Sequence, residues 1–131
     1  MNTQKRNHRL EILTEPHHRR PRSLGGLNDR SNISYVPGWE HRHWHTLFGN
    51  MNAIQICNTI NLSPWKPVGA TLVCKFINGF PVMKVGGENS KNQNKCDTAW
   101  KHLFRDLSFE EIISYINSVW LDPSYHFYIK E

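Results

Sequence analysis

The apolar residues of this chain fall into one pattern that occurs twice, 56 positions apart. Trp44, Leu47 and Phe48 match Trp100, Leu103 and Phe104. Ile56 and Ile60 match Ile112 and Ile116, Asn61 matches Asn117, and Pro67 matches Pro123. Similar pairs fill the gap: Asn50 with Asp106, Met51 with Leu107, Asn52 with Ser108. Seven identities over so short a stretch mark a repeat. The apolar matches recur at helical spacing, so they read as core positions rather than ligands. Each copy predicts a short helix, a turn, a second helix, a Pro-containing turn and a strand.

The rest of the pattern fills in around these copies. Residues 1–15 are polar and basic and predict a loose arm. Residues 17–36 predict an irregular hairpin: a strand near His17, a loop through Gly25-Gly26 and Asn28-Asp29, and a strand over 33–36. Pro37-Gly38 stops that strand. Helices are expected over 39–48, ended by Gly49-Asn50, and over 53–60. TLVCKFI, Asn78-Gly79 and FPVMKV predict a hairpin on a type I′ turn, with Pro81 on an edge strand. Residues 86–95 read as a polar loop, and 98–104 as a short helix. A longer helix starts at Ser108, which makes a capping box with Glu111. A final strand covers 125–129. The fold class is α+β. The expected organisation is an arm (1–15), a module holding the histidines and the first repeat (16–67), and a hairpin with the second repeat in the same domain (68–131).

Composition narrows the partners. A chain of 131 residues, 38% hydrophobic, supports one modest core. No apolar run is long enough to span a membrane, and the N-terminus has no secretory h-region. Cys57, Cys74 and Cys96 form no CxxC and read as reduced thiols of a cytoplasmic protein. The net charge is +5, and seven of the eight arginines precede residue 45. Arginine suits bidentate phosphate contact, so nucleic acid is the expected partner. A solvated basic surface is the plainer alternative.

The same basic half holds the chemistry. Five of the eight histidines lie between His17 and His45. His41 and His45 are one helical turn apart and share a face. With His17 from a nearby strand they can hold a transition metal with an open position. His18, on the other side of the strand, is freer to act as a general base, and Asn32 can present a carbonyl to its far nitrogen. Arg19, Arg20 and Arg22 can grip phosphates. His43 should face away from the site, as surface or DNA contact. The plainer reading is a structural metal site, or histidines satisfied by hydrogen bonds alone. The second copy has Asp97 and Lys101 where the first has His41 and His45, so it reads as scaffold.

HHRRPRSLGG, Asn32-Ile33 and the H-x-x-x-H of His41 and His45 together resemble the HNH, or ββα-metal (His-Me finger), nuclease motif. The additional His45 is similar to the colicin-type branch with three histidine ligands. The resemblance covers residues 16–48. It implies a ββα-metal module followed by the duplicated helix-turn-helix-strand unit and hairpin. It implies His17, His41 and His45 as metal ligands, His18 as base and Asn32 as the residue that orients it. Arg19, Arg20, Arg22, Arg42 and His43 would lie against nucleic acid. The cofactor would be one divalent metal (Zn, Ni, Mn or Mg), and three imidazoles favour the first three over Mg. The substrate would be DNA, with RNA the weaker option and a protein partner or homo-oligomer left open. The cysteine pairs that bind structural zinc in many such modules are absent: Pro37 and Glu40 stand nearest those positions. Trp44–Asn50 and the INxxWLDPxY-like stretch ending at Tyr125 also resemble short bacterial and phage HNH-like proteins. That implies the cytoplasm of a bacterium or a phage-infected host.

Overall fold

A computed structural model describes residues 13–87 and 90–131. It is mixed α+β, with four helices and two small antiparallel sheets. The predicted arm lies outside the described residues except for its last three, and Thr14 and Glu15 already belong to a strand.

Strand β1 (Thr14–His18) pairs with β2 (Ile33–Pro37), with His17 opposite Ser34 and His18 opposite Ile33. Between them the chain makes a single 3-10 turn at Arg22–Leu24. Gly26 closes this loop against the Arg20 carbonyl, where an added Cβ would lie 1.8 Å from the oxygen. Helix α1 (Gly38–Phe48) follows directly and buries Trp44, Leu47 and Phe48 at i, i+3 and i+4. Helix α2 (Ala53–Leu62) starts in a capping box: the Asn52 side chain accepts from the Gln55 N–H, and Gln55 reaches back to the Asn52 N–H. It buries Ala53, Ile56, Cys57 and Ile60.

Strand β3 (Thr71–Phe76) departs from the predicted hairpin. It pairs with β4 (Tyr125–Lys130) and not with residues 80–85. Strand β4 offers Tyr125 and Phe127 to the core on alternate positions, whereas Phe80, Met83 and Val85 are exposed. Pro81 has no N–H to give a ladder. The segment after Asn78-Gly79 instead lies over the surface, where Val82 N–H donates to the Tyr125 hydroxyl and the Lys84 carbonyl accepts from Asn52.

Helix α3 (Gln93–Leu103) begins five residues before the predicted 98–104, inside the expected polar loop. Asn92 caps it by accepting from the Lys95 N–H, and the first turn is polar because it is exposed. Helix α4 (Phe109–Tyr115) starts at the Ser108–Glu111 capping box, as expected, and runs into a π turn at Ile116–Trp120.

The two repeats face each other, and the contacts repeat with them. Helix α1 packs on α3. Trp44 stacks on Trp120 (4.9 Å, 15°) and Trp100 stacks on Trp65 (4.6 Å, 15°). Each helix tryptophan therefore rests on the other copy's tryptophan. Asn61 bonds both the N–H and the carbonyl of Leu72, each at 2.8 Å. Asn117 does the same to Phe127, again at 2.8 Å. In the sheet, Leu72↔Ile129 and Cys74↔Phe127 exchange under the same operation, with Val73↔Tyr128 on its axis. The copies are thus related by a pseudo-twofold. From Trp65 and Trp120 onward the offset is 55 rather than 56, so Pro67 and Pro123 are not structural equivalents. One cluster of buried side chains runs through both copies and takes in Val36 of β2. Cys57, Cys74 and Cys96 are free, and burial pushes Cys57 up to about 11 and Cys74 up to about 12. Among the described residues no helix is long and apolar enough to cross a membrane.

Candidate metal centre

Strand β1 and helix α1 bring three histidines together. His17, His41 and His45 each offer a ring nitrogen, and these atoms lie within 4.8 Å of one another. Tetrahedral coordination with nitrogens about 2.1 Å from a metal separates them by about 3.4 Å, so small side-chain adjustments would suffice. The Nε2 atoms of His41 and His45 are 3.0 Å apart.

Two of the three rings are braced from behind. His17 Nε2 lies 2.9 Å from the Trp120 carbonyl. A carbonyl only accepts, so Nε2 carries the proton and Nδ1 keeps its lone pair. His41 Nδ1 lies 2.8 Å from the Glu15 carboxylate, which leaves Nε2 free in the same way. Acceptors of this kind fix the tautomer and ring orientation of metal-binding histidines. His17 is also gripped by its packing, with its ring 5.0 Å from Trp120 and 6.0 Å from Trp44.

Burial disfavours the protonated form of two of the donors, His17 and His45. Burial holds the His17 imidazole far below its usual range, at about 3; its bond to Trp120 opposes this, and His41, His45 and Arg19 add to it. Burial and then His41 lower His45. A neutral imidazole is the form that binds a metal. The cluster opens on a cavity of about 260 Å³, walled also by His18, Arg22, Ser23, Asn50 and Met51.

His18 reaches that cavity beside His17 although it follows it in the strand. Its Nε2 is 2.8 Å from Asn28 Oδ1, which leaves Nδ1 as the lone pair. Asn28 therefore makes the contact expected of Asn32. Asn32 is buried and clamps the loop instead: Oδ1 accepts from Arg20 N–H at 2.7 Å, Nδ2 donates to the Leu27 and Arg20 carbonyls, and its own carbonyl accepts from Arg19 N–H. It acts on His18 only through the backbone that follows it.

The arginines divide. Arg19 donates to the Leu121 and Asn117 carbonyls, and Arg20 is paired with Asp122 at 2.6 Å and bonded to the Phe80 carbonyl. Both tie the loop to the second repeat, where buried carbonyls and a carboxylate need donors, so the expected phosphate grip is not theirs. Arg22 is exposed at the cavity rim, and Arg42 is exposed on α1. His43 faces away from the cluster, against Trp39 and His102.

Sequence reasoning missed Glu15, Asn28 and the Trp120 carbonyl. Glu15 carried a signal, since it stands two residues before His17 and shares its face of the strand. The Trp120 carbonyl carried none, because a π turn aims it. No family model matches the chain, and neither a curated protein nor a solved structure matches it significantly.

Proposed function

We propose that this chain is a metal-dependent HNH-type endonuclease or nickase that hydrolyses DNA phosphodiester bonds, encoded by a phage or mobile element. The observation that carries the reading is the convergence of three imidazoles, two of them braced by acceptors and two whose protonation burial disfavours, beside a fourth histidine on the same cavity. His17 Nδ1, His41 Nε2 and one nitrogen of His45 would hold Zn, Ni or Mn, with Mg the poorer fit to nitrogen donors. A metal bound there supplies charge for the phosphate and the leaving oxygen. His18 Nδ1 takes the proton from the attacking water as oxygen joins phosphorus and the bond to the leaving sugar oxygen breaks. Arg22 holds a phosphate at the rim. Asn32 and Asn28 set the position of His18, the first through the loop and the second directly.

One observation favours a second reading, a non-catalytic HNH-fold binding protein such as a phage-encoded inhibitor or regulator of a host enzyme. Arg19 and Arg20 are committed inside the fold, so the loop grips phosphate less than its sequence promises. One assay separates the two. Supercoiled plasmid is incubated with wild type, His18→Ala and His41→Ala, with Zn, Ni, Mn or Mg, and with RNA as a parallel arm. Nicking by wild type, lost in His18→Ala while metal binding by calorimetry persists, supports the nuclease. Full activity in His18→Ala removes its role as base. No cleavage with any metal favours the binding protein.

A further inference from the structure

A second group of aromatic and basic side chains lies on the other flank of α1. Trp39 is 46% exposed. His43, one turn on, sits 5.9 Å from it, and His102 of α3 lies 5.3 Å from His43. Trp39, His102, Leu103 and Arg105 line a groove of about 370 Å³, within the size range of small-ligand sites. Neither Arg42 nor Arg105 is in a salt bridge among the described residues. Glu40, the acid of this helix, is turned to the Tyr115 hydroxyl.

At 100° per residue the exposed arc of α1 carries His41 and His45, then Arg42, then Trp39 and His43. The groove therefore lies about one helix width, roughly 10 Å, from the histidine cluster, which a few nucleotides span. We infer that the Trp39–His102–Arg105 groove, beside His43, binds an unpaired nucleobase of single-stranded nucleic acid, stacked on Trp39, with its phosphate on Arg105. An exposed indole beside free cations is the combination that single-strand binding uses. A duplex hides its base faces, so stacking selects an unpaired strand over a paired one. The inference rests on the nucleic-acid partner of the proposed function, but not on hydrolysis.

The test uses the whole chain in chelator, so that binding is read without cleavage. Fluorescence anisotropy at low salt compares a labelled twelve-nucleotide thymidine strand with a duplex of equal length. Wild type should prefer the single strand. Trp39→Ala should weaken single-strand binding about tenfold or more and Trp39→Phe much less, since stacking survives on a smaller ring. Arg105→Ala should weaken it a few-fold and reduce the salt slope by about 0.7. Equal unfolding midpoints show that these exposed substitutions leave the fold intact. Wild-type affinity in Trp39→Ala, equal losses on strand and duplex, or no single-strand binding by wild type would overturn the inference. An uncut plasmid with Trp39-dependent binding removes the hydrolysis and keeps the groove. A cut plasmid with Trp39-independent binding does the reverse.

Discussion

The two halves of this molecule share a frame and differ in what hangs on it. Both have the paired helices, the capping box, the strand-reading asparagine and the exchanged tryptophan stack. Where the first half has His41, the second has Asp97, which accepts from Trp65 Nε1 and Gln93 at 2.8 Å each. That carboxylate is spent on packing. Where the first half has His45, the second has Lys101, which is exposed. The larger difference is the β1–β2 sheet, which has no counterpart in the second copy among the described residues. It lays His17 over Trp120 and closes one side of the cavity. The second copy builds the frame with Asp97 and Lys101 in place of His41 and His45, so the site is an addition to it, built where the β1–β2 sheet meets a repeated helix.

The sharpest way to test that comparison is at the two exchanged tryptophans. Trp120 is fully buried under Trp44 and His17, whereas Trp65 is half-buried. Trp120→Ala should cost about 3–5 kcal/mol of stability. Trp65→Ala should cost about 2 kcal/mol, the stack and the bond to Asp97. Urea unfolding of both variants measures the gap. Equal losses would mean that the sheet adds nothing to the packing of the first half.

The asparagines test the opposite point, that the frame really is duplicated. Asn61→Ala and Asn117→Ala each strip a strand residue of two hydrogen bonds. Each should cost about 2 kcal/mol, and the two losses should agree within about 0.5 kcal/mol. A loss confined to one of them would show that the pseudo-twofold describes geometry without shared energetics.

The frame was largely legible in the sequence because helical periodicity, capping residues and the repeat are local signals. Helix α1, the Ser108 cap and the closing strand follow from them directly. The hairpin at Asn78-Gly79 was misread because a turn signal competes with partners it cannot see. Tyr125 and Phe127, almost fifty residues on, offer the core more apolar surface than Phe80 to Val85 can. At the site, the three clustered histidines were readable from spacing alone. The roles of Asn32, Arg19 and Arg20 were not, because they depend on where the second repeat places Leu121, Asp122 and the Asn117 carbonyl. Long-range acceptors leave no mark on the residues that will donate to them.

The smallest expected effect is also the most specific to the histidine half. His17 is held at about 3 in the folded chain, against about 6.5 when unfolded. Between these values the unfolded chain binds a proton that the folded chain refuses. Stability therefore rises with pH across that window, and it is lost as pH falls below about 6.5 toward 3. The slope from this one group is at most about 1.4 kcal/mol per pH unit. Urea unfolding in chelator at pH 7, 6 and 5 should show it in wild type, and His17→Phe should flatten it by nearly one proton. Metal should steepen the wild-type dependence further, since a bound ion requires all three imidazoles neutral. An unchanged slope in His17→Phe would mean that burial does not keep the proton from His17 in the folded chain. In that event the sheet would cover the first half's site without changing its chemistry, and the two halves would differ in residues alone.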